Sequence, residues 1–336
     1  MPSSIPVPLA AYIADCLAPD TQTLVTSVLT TPSPWLSLRL LYATLYGVDD
    51  GPRHAQQTGH EVVFVSLLRP LSLWAEMGKK MGLDFASLLR NRRITYVDGL
   101  TGGIPSTAAT ASTIEADTRQ LPTTRPRSIT LKDIKDALDD VLRRPSISTS
   151  TRPTPSGHLS SSRSADGVFS PRIPPATASP FARSVGEKPL ILIDGIDFLL
   201  ASQPSVSPVE LQSFLATLRT KCHGLMLTCQ ADSPLLHWSS TSGPGHETPL
   251  ERNHAHFLTG LAHSARWVFQ LRGLDTGSAK DVSGVIRVSR GGDRGMYDGV
   301  GVDDSPDRSR EQDLADGEWL YQLQGDSAVR VWARGE

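Results

Sequence analysis

Short apolar runs alternate with amphipathic stretches along most of this chain. Residues 24–30 (LVTSVLT) are β-branched and apolar and predict a strand. A loop, Thr31-Pro-Ser-Pro-Trp35, follows, and residues 36–46 predict a helix stopped by Gly47. Residues 62–68 (VVFVSLL) are almost wholly apolar, as a strand buried on both faces should be. A helix is predicted over 73–81, with Ser72 as its cap and Gly82 as its end. A short helix follows at 85–90, then an apolar strand at 94–97 running into Asp98-Gly99.

The same alternation resumes after each polar stretch. Thr130-Leu-Lys-Asp133 reads as a capping box opening a helix with Leu131, Ile134, Leu138 and Val141 on one face. Residues 190–193, within LILIDGID, are a strand. Ser207-Pro-Val-Glu210 caps a helix carrying Leu211, Phe214, Leu215 and Leu218, which should stop near Gly224. Residues 225–229 (LMLTC) predict another buried strand. Thr248-Pro-Leu-Glu251 repeats the capping pattern ahead of Leu250, Phe257, Leu258 and Leu261. Strands at 267–271 and 284–288, and a hairpin over 319–332 around Gly325-Asp326, close the chain.

Apolar strands alternating with capped helices predict parallel β-α-β units, and the late strands without helices predict an antiparallel edge. The chain is therefore read as one α/β domain spanning residues 1–336. It is interrupted by low-complexity inserts at 101–127 and 145–184 and by a polar loop at 290–317. More than half of residues 145–184 are Ser, Pro or Thr, with Asp166 the one acidic residue and no Tyr or Trp. Such a segment buries too little to offset its ordering entropy, so disorder is expected there.

Composition narrows the function. The net charge of −2 supplies no global basic field for nucleic acid, so any RNA contact must be local or come from partners. The three cysteines, Cys16, Cys222 and Cys229, form no C-x-x-C pair and suit a reducing compartment. The first residues lack the basic start of a secretory signal, and no apolar run approaches the ~20 residues of a membrane helix. A soluble intracellular protein, without membrane attachment, is the expectation.

The chemistry is notable for what the loop after the first strand lacks. In phosphate-binding α/β proteins that strand leads into G-x-x-x-x-G-K-[ST], whose backbone N–H groups and lysine cradle the phosphates. The corresponding residues 31–35 contain no Gly and no Lys, and Pro32 and Pro34 remove two N–H donors. The Gly78-Lys79 pair lies at a helix end, unsuited to a phosphate cradle. Asp194, closing an apolar strand, has the form of a Mg²⁺-holding Walker B aspartate. Strand-end Asp followed by Gly is also a common turn, and without a P-loop that reading is favoured here and at Asp98-Gly99. His254 and His256, two apart on a helix, point to different faces and cannot share a metal. No catalytic residue, metal site or cofactor is therefore expected. Arg90, Arg92 and Arg93 are the best candidates for touching a phosphate backbone, although a solvated helix end favours cations as well. Arg143-Arg-Pro-Ser146 has the form of a basic-directed phosphorylation site, a string frequent by chance.

Two runs carry a family resemblance: VVFVSLLRPLSLWAEMGKKMGLDFASLLRNRRITYVDGL at 62–100 and KPLILIDGIDFLLA at 188–201, with the strand-helix-strand series from 225 to 288. Together they resemble the Elongator complex protein 6 family over most of the chain outside the two low-complexity stretches. The resemblance implies a RecA-like three-layer domain, with a mainly parallel central sheet and a terminal antiparallel hairpin, that has lost the P-loop. It further implies a non-catalytic subunit of a heterohexameric ring with Elongator complex proteins 4 and 5. That ring docks on the catalytic Elongator subunits, binds tRNA and supports carboxymethyl-type modification of wobble uridines, in the cytoplasm and nucleus. The long Ser/Pro/Thr insert and the acidic residues Asp303, Asp304 and Asp307 depart from the family pattern. Two other classes stay open on the residues: an ATPase with a non-standard nucleotide site resting on Asp194, and a RecA-like recombination accessory protein.

Overall fold

The structure is a computed structural model that describes residues 5–48, 60–100, 121–144, 188–236, 248–274, 277, 279, 281–293, 314–325 and 328–335. Its strands are β1 (Thr21–Ser27), β2 (Val62–Ser66), β3 (Ile94–Asp98), β4 (Thr123–Thr124), β5 (Leu190–Asp194), β6 (Gly224–Gln230), β7 (Trp267–Arg272), β8 (Gly284–Arg290), β9 (Gly317–Leu323) and β10 (Val329–Trp332). They form one sheet in the order β10-β9-β8-β7-β1-β6-β5-β2-β3-β4. The pairings from β7 through β1, β6, β5, β2 and β3 to β4 are parallel. Those joining β7, β8, β9 and β10 are antiparallel. The architecture is α/β and compatible with a RecA-like three-layer fold, and every strand expected in the central sheet lies in it.

Near-continuous apolar strands are what two covering layers require, because successive side chains face opposite sides. Val62 and Phe64 enter one core with Leu9, Ile13, Leu36, Trp74 and Leu88. These come from α1 (Val7–Cys16), α2 (Pro34–Tyr46), α3 (Leu71–Lys80) and α4 (Phe85–Arg90). Val63 and Val65 enter the other core with Ile134, Leu199, Leu211, Phe214 and Phe257. Those belong to α5 (Leu131–Arg143), α6 (Phe198–Ser202), α7 (Pro208–Lys221) and α9 (Pro249–Ser264). A fifth element on that side, α8 (Ser233–Leu236), buries no residue. Each fully buried Leu, Val or Phe contributes about 1.5–3 kcal/mol relative to exposure.

The three caps form where they were read, but of the expected capping boxes only the one at Thr248 closes. Thr130, Ser207 and Thr248 accept hydrogen bonds from the N–H groups of Asp133, Glu210 and Glu251, and at Thr248 the box is reciprocal. Gly82, at φ +83°, ends α3, with its own N–H on Lys79 and that of Leu83 on Gly78.

Several expectations are corrected. β1 begins at Thr21 rather than Leu24, because Thr21, Gln22 and Thr23 are buried and paired in the centre of the sheet. Their polarity hides the strand, and hydrogen bonds to the Cys16 carbonyl and Ser264 satisfy Thr21 and Gln22. α3 starts at Leu71 with Pro70 at its cap position, so Ser72 lies inside the first turn and caps nothing. α7 ends at Lys221, near Gly224 as expected, and Gly224 itself opens β6. Leu250 is largely exposed, since it sits in the first turn before α9 meets the sheet. α1 was not foreseen, and within 101–127 Leu121 is buried and Thr123–Thr124 pairs with β3. The remaining parts of the expected inserts and polar loop, residues 101–120, 145–184 and 294–313, lie outside the described residues.

Candidate functional site

In an open parallel sheet, ligands dock beyond the carboxyl ends of strands where neighbouring connections leave for opposite faces. Two such positions lie among the described residues. β1 leads to α2 in one layer while its neighbour β6 leads to α9 in the other. β2 leads to α3 while its neighbour β5 leads to α6.

At the first position, the chain leaving β1 makes a tight turn instead of a phosphate cradle. The Thr31 N–H donates to the Val28 carbonyl at 2.9 Å, and the Leu29 N–H donates to Asp232 Oδ1 at 3.0 Å. An N–H that an anion would seek is thus held by a carboxylate. Ser33 and Thr31 are buried, and Leu29 is 86% exposed at the tip. Beside the turn, Asp197 Oδ2 accepts from the Gln230 N–H at 3.3 Å and His254 Nε2 lies 2.8 Å from the Gln230 carbonyl. Burial pushes the Asp197 carboxyl up, against the nearby charge of His254. His254 is a core histidine and His256 is exposed, so the two do face apart.

At the second position Asp194 is completely buried and surrounded by partners. Arg69 Nη1 donates to its Oδ1 at 2.5 Å, and Thr228 Oγ1 donates to the same oxygen at 3.0 Å. Ser66 Oγ lies 3.2 Å from Oδ2 and 2.7 Å from the Arg69 carbonyl, so its single proton serves one of them at a time. Trp74 Nε1 donates to that Ser66 oxygen at 3.0 Å, and the Arg69 guanidinium stands 5.9 Å from the Trp74 ring centre. Burial pushes the Asp194 carboxyl up, while the charge and hydrogen bond of Arg69, with Thr228 and Ser66, pull it down. Only glycine suits the next position. Gly195 has φ +76°, a Cβ there would meet Leu68 Cγ at 2.3 Å, and its N–H reaches Thr228 Oγ1 at 2.8 Å.

Chemically, this carboxylate is a closed unit. Its charge is balanced by a guanidinium on the adjacent loop, where a Walker B aspartate would face a hydrated Mg²⁺. At the sheet edge Asp98, also buried, faces Arg125 Nε at 3.7 Å. No group of three or more His, Cys, Asp or Glu side chains suited to a metal ion occurs among the described residues. None of the described helices is long and apolar enough to cross a membrane.

The three arginines singled out for RNA contact lie at the opposite, amino end of the sheet, around the entry to β3. Arg90 and Arg92 are exposed, with Arg92 at φ +55°. Arg93 is turned inward and donates from Nη2 to the Leu45 carbonyl at 2.9 Å, tying α2 to β3. The structure thus splits the cluster into two solvent-facing cations and one structural tie. Sequence reading found Asp194 but missed Arg69, Ser66 and Thr228. A strand-end hydroxyl followed three residues later by an Arg-Pro pair was the only signal for the first two. No protein-family model matches the chain, and no curated protein matches it.

Proposed function

We propose that this chain is a non-catalytic RecA-like subunit of the Elongator accessory ring, related to Elongator complex protein 6, that supports wobble-uridine modification of tRNA by assembly. The observations that carry the non-catalytic part are the pairing of Asp194 with Arg69 and, at the other position, a β1 turn without Gly or Lys. Phosphoryl transfer depends on positioned phosphate donors and Mg²⁺. Here the turn's Leu29 N–H is held by Asp232 and the acid is held by Arg69. The family part rests on the resemblance of residues 62–100 and 188–201. Partners on this reading are Elongator complex proteins 4 and 5 and, through the ring, the catalytic subunits and tRNA, in cytoplasm and nucleus. No cofactor is required.

The test is genetic and biochemical. Cells lacking the chain should lose carboxymethyl-type wobble-uridine modification, and the tagged full-length chain should co-purify with Elongator complex proteins 4 and 5. Normal wobble-uridine modification in the null strain refutes the assignment. Steady ATP turnover by the purified chain, abolished by Asp194→Ala, refutes the non-catalytic role.

A further inference from the structure

At its parallel end the sheet closes on β4, and a cleft lies beside that strand. β4 pairs with β3 alone, Tyr96 with Thr123 and Val97 with Thr124, and stands last in the sheet order. Its other edge has no strand partner among the described residues. The chain turns through Pro126, and α5 returns on the side of the second core. Between them lies a cleft of about 630 Å³, walled by residues 123–127 on one side and by α5 on the other. A strand edge offers main-chain hydrogen bonds to an extended peptide, and a flanking helix offers side chains that select it.

The helix determines which peptide fits. Leu131, Ile134, Leu138 and Val141 turn into the core, so α5 presents Asp136, Asp140, Arg143 and Arg144 to the cleft. Arg127 lines it at the N-terminal end of α5. All five are exposed, and among the described residues none of them forms an ion pair. The other charges along the cleft are engaged. Asp139 bonds Lys221 at 2.7 Å, Asp133 accepts from Ser128 and Thr130, and Arg125 stands 3.7 Å from Asp98. The free charges therefore run basic, acidic, acidic, basic. Asp136 and Asp140 are about 6 Å apart along the helix, and alternate residues of a strand are about 6.6 Å apart.

We propose that this cleft binds an extended peptide that pairs with β4 and whose residues on the α5 side, every second one, read acid, base, base, acid. The two bases meet Asp136 and Asp140, and the outer acids meet Arg127 at one end and Arg143 and Arg144 at the other. Main-chain pairing supplies affinity, and charge order supplies selection, because the wrong order brings like charges together. Pro126 has no N–H to offer and closes the pairing edge, so the added strand is short. The charge order reads the same in both directions, so parallel and antiparallel strands satisfy it alike. The site belongs to this chain alone and does not depend on the ring assignment.

The test uses the full-length chain and two fluorescein-labelled, C-terminally amidated heptapeptides of identical composition, ETKTKTE and KTETETK, by anisotropy. ETKTKTE should bind at least about fivefold more tightly, and the difference should shrink as salt rises. Asp136→Lys with Asp140→Lys should erase that preference. Asp136→Asn with Asp140→Asn, expected to weaken ETKTKTE about threefold, carries the test if the charge reversal impairs folding by circular dichroism. Successive N–H groups of a strand point to opposite edges, so methylating the backbone nitrogens of either the threonines or the lysines of ETKTKTE, but not of both alike, should weaken binding at least about tenfold. Equal affinity for the two peptides overturns the proposal, as does failure of either to bind at millimolar concentration. So does binding that both N-methylated forms retain, or that neither pair of aspartate substitutions changes. Self-association of the chain in sedimentation that the aspartate substitutions abolish would assign the cleft to a second copy and overturn it as well.

Discussion

Replacing Arg69 with Met isolates the closed carboxylate at the heart of the sheet's carboxyl edge. The substitution keeps the aliphatic length of the side chain and removes its charge. Asp194 has no exposed surface and the Arg69 side chain 15%, so solvent cannot take over the neutralising role. Removing one partner of a buried ion pair costs about 3–5 kcal/mol, and loss of the guanidinium over Trp74 adds about 0.5–1 kcal/mol. Against a domain stability of about 5–15 kcal/mol, this is a large fraction. Urea unfolding should show a lower midpoint at unchanged slope. Adding Asp194→Asn should recover most of the loss, because Thr228 can still donate to the amide oxygen, the amide NH2 can donate to Ser66 Oγ while the Ser66 proton goes to the carbonyl of residue 69, and the buried charge is gone. The pH dependence follows in sign. Burial already raises the Asp194 carboxyl, and without Arg69 it rises further above the unfolded value of ~3.9. The variant's penalty is therefore absent below about pH 4, grows as pH rises toward the folded pKa, and is constant above it. A variant within about 0.5 kcal/mol of wild type at pH 7 would refute the reasoning, and so would stabilisation of the wild type by millimolar Mg²⁺ that Asp194→Asn abolishes.

Thr248→Ala removes a reciprocal capping box and should cost about 0.5–2 kcal/mol in urea unfolding, whereas Ser72→Ala, inside the first turn of α3, should cost almost nothing. Burial alone would raise the Asp15 carboxyl, but hydrogen bonds from Arg266 and Trp267 with the charges of Arg266 and Arg290 hold it below its usual range. Its contribution is present above the unfolded pKa of ~3.9 and lost as pH falls through the lower folded value, so Asp15→Asn should flatten the acid limb of the stability curve. Arg93→Ala should lower the melting temperature by loosening Leu45 at the end of α2, and Arg90→Ala with Arg92→Ala should leave it within error. Gly195→Ala should be severely destabilising, since a methyl group there meets Leu68 on a left-handed backbone, and soluble expression reads the effect.

Local chemistry was legible wherever one short stretch carries its own instruction. The apolar runs at β2, β5 and β6, the capping residues Thr130, Ser207 and Thr248, and the left-handed Gly82 each specify their element without reference to the rest of the chain. The absence of a phosphate cradle after β1 was equally readable, because glycine and lysine are either present or not. The ambiguous features were those whose meaning depends on neighbours. Thr21-Gln-Thr23 looks like a polar loop, and only pairing on both sides, by β6 and β7, makes it the start of a central strand. Three nearby arginines look alike in a string, yet tertiary packing turns Arg93 inward to a carbonyl and leaves the other two in solvent. Asp194 alone is compatible with a metal ligand or a turn. The decision was made by Arg69 and Thr228, 125 and 34 positions away, which the sheet order brings to one carboxylate. Hydrogen bonds and ion pairs act over about 3 Å, so a residue's charge state and role are set by whatever the fold places within that distance, and sequence separation carries no information about it.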